Sequence, residues 1–129
     1  MSQHRTVIAT PDAPAALGPY NQAIKAGTMV FASGQLGLDP ASGNLVEGGV
    51  AAQTRRSLDN LTAVLKQAGC TLADVVSCTV YLKDMNDFAA MNAEYATYFT
   101  ENPPSRATVE VARLPKDGLV EIACIAVIG

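Results

Sequence analysis

Two side chains in the last quarter of the sequence stand where a soluble chain has reason to avoid them. Arg106 follows the stiff run Pro103-Pro104-Ser105 and precedes a β-prone stretch, and Glu121 interrupts the apolar run from Leu119 to Ile128. Burying either group without a task is costly, because an unpaired charge loses its hydration. A guanidinium held by a rigid approach can grip a carboxylate through two parallel charge-assisted hydrogen bonds. A half-buried carboxylate can orient a water molecule or take its proton. The pair therefore points to a small carboxylated molecule attacked by water. Plainer readings stand beside this one. Arg106 could form an ion pair at a strand start, and Glu121 could face outward, since alternation puts Leu119, Glu121 and Ala123 on one face.

Composition limits the alternatives. At 129 residues with 49% hydrophobic side chains, residues 1–129 have the size and apolar content of one domain. A net charge of -3, with Lys and Arg scattered, gives no footprint for a phosphate backbone and argues against nucleic acid as the main partner. No apolar run reaches the roughly 18 residues that mark a membrane span. The start MSQHRTVIATPDAP lacks the continuous apolar centre of a secretory signal, so a cytoplasmic location is expected. Cys70, Cys78 and Cys124 are odd in number, lack CxxC spacing and adjoin apolar segments, which reads as buried structural thiols. The single histidine, His4, lies near the N-terminus, and no carboxylates cluster, so no metal site is expected. Chemistry must run on Arg, Glu, hydroxyls and backbone groups.

These groups need elements to position them. Thr6 to Thr10 is β-prone, and Pro11 to Tyr20 carries enough Pro and Gly to form a fixed loop. On that loop Tyr20 is either a core aromatic or a hydroxyl closing a cleft. Ala23–Ala26 and Met29–Ser33 flank Gly27-Thr28 with hairpin spacing, and Ser33-Gly34-Gln35 leaves the strand through a glycine. Ser33 is a strand-end hydroxyl or a ligand group. The Ser33 to Gly37 segment is no phosphate loop, since no Lys-Ser/Thr follows. From Val50 to Ala68 the apolar residues fall on one helical face, and Gly69 stops the helix. Val75–Leu82 reads as a strand. A second helix follows Asp84 and Asp87, with Phe88, Met91, Tyr95 and Phe99 as its core stripe. Thr108–Val111 and Leu119–Ile128 are two more strands joined by a turn at Pro115 to Gly118. The order β-β-β-α-β-α-β-β gives an α+β fold, one mixed sheet with both helices packed on one face. Nothing in the chain remains to cover the other face, so burial against copies of itself in a closed oligomer is expected.

The segments ApaaLGPYnQAI from Ala15, FASGQLGLDPaSG from Phe31, CTVYLKDMNDFaaMNaeY from Cys78 and PSRATVEVARLPKDGLVEIaCIA from Pro104 closely resemble the RidA (YjgF) family of imine deaminases. The likeness runs through nearly the whole chain, in order and at compatible spacing. It implies a chorismate-mutase-like fold, a barrel-like homotrimer and three ligand sites in the clefts between subunits. It also implies hydrolysis of 2-imino acids such as 2-iminopropanoate and 2-iminobutanoate to 2-oxo acids and ammonia, without a cofactor. By the same resemblance Arg106 is the carboxylate grip and Glu121 positions the water, while Tyr20, Ser33 and the backbone of Gly34 supply other site groups. Thr108 stands where many members carry a cysteine, so a thiol there is dispensable if the chain is active, and its backbone amide can still meet ligand. The loop before Arg106 is shorter than in many members, which bears on substrate size, and Ala123 replaces a second acidic residue.

Two further readings use the same residues. A non-catalytic regulator or chaperone-like trimer could bind small carboxylates through Arg106; Glu121 separates the two, because a carboxylate beside a bound anion hinders binding unless it has a chemical duty. A ribonuclease or translation inhibitor is opposed by the net negative charge and the lack of a His pair.

Overall fold

The computed structural model describes residues 4–129; residues 1–3, the first of the stretch read for a secretory signal, lie outside it. Six strands, β1 (Arg5–Ile8), β2 (Ala23–Ala26), β3 (Met29–Leu36), β4 (Val75–Leu82), β5 (Ser105–Glu110) and β6 (Val120–Val127), form one sheet in the order β1-β2-β3-β6-β4-β5. Every neighbouring pair is antiparallel except β4 and β5, which run parallel because α2 (Phe88–Tyr98) carries the chain back between them. The long helix α1 (Gly49–Gln67) packs on β3 and β6, and α2 packs on α1. The order of elements and the mixed α+β sheet agree with the sequence reading. β5 and β6, though joined by the turn at Pro115–Asp117, do not pair; β6 inserts between β3 and β4.

The core lies between the sheet and α1. Leu58, Leu61, Val64 and Leu65 from the helix meet Val30, Val80, Val120 and Ile122 from the strands, all essentially inaccessible. α1 ends in a Schellman motif: Gly69, at φ 86°, lets the Cys70 amide donate to the Leu65 carbonyl and its own amide donate to Lys66. Cys70, Cys78 and Cys124 are all buried free thiols, as the sequence suggested. Burial pushes the Cys124 thiol up to about 12, which removes it from nucleophilic chemistry near neutral pH.

The opposite face of the sheet carries no helix. Cross-strand register puts Val7, Ile24, Phe31, Ile125 and Val109 on this side. Val7 is 55% exposed and Phe31 42% exposed, an apolar surface left open by the chain itself.

β1, β5 and the place of Phe88 differ from the sequence reading, as does the end of β3 described below. β1 stops at Ile8, because the Thr10 amide turns away from the ladder and donates to the Gln22 side chain. β5 begins at Ser105, so Arg106 is a strand residue rather than a residue preceding one; parallel pairing of Ser105 with Ser77 sets that start. Phe88 is not core: it opens α2 at the sheet edge and is 37% exposed, whereas Met91 and Tyr95 are buried.

Candidate functional site

β3 does not end at its glycine but passes through it. Ala32 pairs with Cys124 and Gln35 with Ile122, so Ser33 and Gly34 together oppose the single residue Ala123. This bulge rotates the end of β3 and brings Leu36 opposite Glu121. A buried polar row on α1 fixes the rotated end. Ser57 Oγ donates to the Gln35 carbonyl at 2.6 Å, and Asn60 Nδ2 donates to the Leu36 and Leu38 carbonyls at 3.1 and 3.0 Å. Gln53 Oε1 accepts from the Leu119 amide at 2.9 Å and so aligns the start of β6. Gln53, Ser57 and Asn60 repeat at helical spacing, a signal in the sequence that an apolar-stripe search passes over.

Glu121 sits at the mouth of a 150 Å3 cavity walled by Ala16, Leu17, Tyr20, Gly34, Leu38 and Pro115 among others. Its position alternates with buried Val120 and Ile122, so the side chain faces the helix-free side, as strand alternation required. Burial among mostly apolar walls raises its pKa above the ordinary carboxylate value. Gly34 makes room: a Cβ there would land on the Glu121 carboxylate. Tyr20 is 47% exposed, and its hydroxyl accepts from the Leu17 amide at 3.1 Å, closing the loop on itself. Ser33 Oγ donates to the Asn21 carbonyl at 2.6 Å and ties the same loop to β3.

One residue the sequence reading passed over organises that loop. Gln22 is buried, and its Oε1 accepts from the Thr10 amide at 2.7 Å. Its Nε2 donates to the carbonyls of Thr10, Ala13 and Pro14 at 3.0, 3.3 and 2.8 Å. A segment with few ladder hydrogen bonds is thereby wound around one amide.

Arg106 and Thr108 lie elsewhere. Arg106 pairs in register with Cys78, which pairs with Cys124; Glu121 is an odd number of residues from Cys124, so the two charged groups point to opposite faces of the sheet. Arg106 lies under α2, its Cζ 4.8 Å from the Tyr95 ring centroid and 5.5 Å from that of Phe88. It borders a 560 Å3 groove with Asn92, Phe99 and Pro104. No carboxylate among the described residues lies within ion-pair distance of it. Thr108 follows on the same face, and its buried Oγ1 has no hydrogen-bond partner among the described residues. Tyr20, Gly34 and Glu121 thus share one cavity, Ser33 precedes Gly34 in the bulge without lining it, and Arg106 and Thr108 form a second group that one chain does not bring to the first. Among the described residues no three metal-ligating side chains cluster, and no helix is long and apolar enough to cross a membrane.

A six-stranded mixed sheet with helices on one side only, an open apolar face and ionisable groups at its rim is an architecture shared with known proteins. The profile of the family described as Endoribonuclease L-PSP matches residues 10–128. A RutC family protein of Pyrococcus horikoshii is 55% identical over 122 residues, 95% of this chain and 97% of that protein. A 2-iminobutanoate/2-iminopropanoate deaminase of Capra hircus is 51% identical over 125 residues, 97% of this chain and 91% of that protein. The crystal structure of E. coli TdcF with bound serine superposes with a TM-score of 0.92 at 42% identity, over 96% of this chain and 99% of that one. The YjgF gene product of E. coli gives 0.89 at 50% identity, over 95% and 98%. The chain belongs to the L-PSP endoribonuclease family, which is the YjgF/RidA family.

Proposed function

We propose that this protein hydrolyses reactive 2-imino acids, 2-iminopropanoate and 2-iminobutanoate with their enamine tautomers, to 2-oxo acids and ammonia in the cytoplasm. The observation that carries the reading is a guanidinium and a carboxylate that the fold itself does not use: among the described residues Arg106 has no carboxylate partner, and Glu121 is desolvated and forms no ion pair. The substrate bears a carboxylate and a cationic iminium carbon beside it, which suits such a pair. Curated relatives named as deaminases of these imines support the same assignment.

Because the two groups face opposite sides of one sheet, the complete site requires two copies of the chain. In a homotrimer whose subunits cover one another's open apolar face, Arg106 and Thr108 of one copy would meet Tyr20, Ser33, Gly34 and Glu121 of the next. Arg106 grips the substrate carboxylate through two hydrogen bonds and fixes the C=N carbon. Glu121 takes a proton from a water, the resulting hydroxide adds to that carbon, and the proton passes to nitrogen. Glu121 then takes the hydroxyl proton of the tetrahedral carbinolamine as the C–N bond breaks, the C=O bond forms and ammonia departs, and that proton leaves with the ammonia as ammonium. A base with a raised pKa is a stronger proton acceptor at neutral pH, and general acid–base help of this kind lowers a barrier by about 3–5 kcal/mol. An iminium ion is already electrophilic, so no cofactor is required.

The test couples a threonine dehydratase to this protein and follows release of 2-oxobutanoate. The expected result is a rate increase that Arg106→Ala removes while the oligomer persists. Near-normal turnover by that variant would discard the carboxylate grip. A regulator that merely binds small carboxylates would give no rate increase yet retain Arg106-dependent binding, and Glu121→Gln would leave that binding intact.

A further inference from the structure

A guanidinium that grips an anion faces two conflicting demands. It must be held still, or the gain from orientation is lost. The usual holder, a carboxylate, occupies N–H donors and offsets the charge needed for the ligand. The surroundings of Arg106 meet both demands by another route. Two aromatic residues of α2, Phe88 and Tyr95, are seven positions apart and so lie two helical turns apart on one face. Their rings approach the guanidinium at 5.5 and 4.8 Å. Aromatic faces attract a cation through the ring quadrupole and leave its in-plane N–H donors free.

Tyr95 carries the stronger claim. It is 6% exposed and packs on Phe99 with ring centroids 4.7 Å apart, so the ring has little freedom. Among the described residues no group meets its hydroxyl with full hydrogen-bond geometry. The polar side chain that acts on it most is the Cys78 thiol, a weak hydrogen-bonding partner. With no better partner than a thiol for its buried hydroxyl, Tyr95 is held only weakly at its polar end. Its ring, seated between Phe99 and Arg106, does the work.

We propose that Tyr95 is a positioning residue, whose ring, with that of Phe88, holds the Arg106 guanidinium in register for the substrate carboxylate in place of an acidic partner. The inference rests on the reading of Arg106 as the carboxylate grip.

The experiment measures calorimetric binding of 2-oxobutanoate and steady-state imine turnover for the intact protein and four variants. Tyr95→Leu is expected to weaken binding about tenfold and to raise KM with kcat at saturation nearly retained, because the guanidinium is still present but no longer held. Tyr95→Phe is expected to rescue that loss, since it restores the ring alone. Phe88→Leu, at an exposed position that does not threaten the core, is expected to weaken binding several-fold and carries the test if Tyr95→Leu fails to fold. Unchanged binding in Tyr95→Leu or in Phe88→Leu overturns the proposal, as does a Tyr95→Phe loss equal to that of Tyr95→Leu. A protein that does not bind 2-oxobutanoate, or binds it equally well as Arg106→Ala, overturns the reading of Arg106 itself and the proposal with it.

Discussion

The carboxylate of Glu121 lies over the α-carbon of Gly34, in the space any side chain at that position would fill. The contact follows from the bulge at Ser33 and Gly34, which sets both residues against Ala123 on β6. A methyl group at residue 34 therefore acts on Glu121 before it acts on the core. Gly34→Ala is expected to leave a folded protein with imine turnover reduced roughly 10²-fold, the scale on which misplacing a catalytic group is felt. Turnover within twofold of the original would mean that the observed seat of Glu121 is not its working position.

Arg106 and Glu121 on opposite sheet faces make a strong demand on the assembly. Arg106→Ala and Glu121→Gln should each be inactive alone. Co-refolded at equal amounts, they should regain about a quarter of the original activity, because in a cyclic oligomer about one site in four would join an intact Arg106 to an intact Glu121 from its neighbour. No recovery in oligomers shown to be mixed would place both groups of each site in one chain, against the geometry of the sheet.

Glu121 also predicts a pH signature in stability. Its pKa is raised in the folded protein by desolvation, so between the ordinary value of 4.5 and the raised one the folded state binds more protons than the unfolded chain. Stability conferred below that window is lost as pH rises through it. Glu121→Gln has no charge to desolvate. Melting temperatures of the two proteins should converge at pH below 4.5 and favour the variant at neutral pH. The reverse order at neutral pH would mean that desolvation does not govern the charge of Glu121.

Gln22 offers a separate test of the loop that carries Tyr20. Its four hydrogen bonds engage Thr10, Ala13 and Pro14, and removal leaves buried backbone groups without partners. Gln22→Ala should lower unfolding free energy by about 2–4 kcal/mol in denaturant titrations. It should also raise KM, because the cavity wall at Ala16, Leu17 and Tyr20 loses its anchor. A stability change below about 0.5 kcal/mol would show that water replaces the amide without loss.

Local pattern carried much of this protein. The period of Val50 to Ala68, the β-branched run Val75–Leu82 and the stop at Gly69 are properties of short segments, and those elements form where the segments place them, whereas α2 ends at Tyr98, ahead of Pro103-Pro104. Glu121 was conspicuous in the sequence because its neighbours are apolar, and strand alternation alone assigned its face. Tertiary structure decided what depends on partners distant in the chain. The bulge that seats Glu121 on Gly34 is a matter of register between β3 and β6, held by Ser57 and Asn60 from α1. The role of Gln22 arises from carbonyls up to twelve residues away. Phe88, at core spacing in the sequence, stands against Arg106 because α2 crosses back over the edge strand β5. Periodicity records which side of an element is apolar; what that side meets is fixed only when the sheet is ordered.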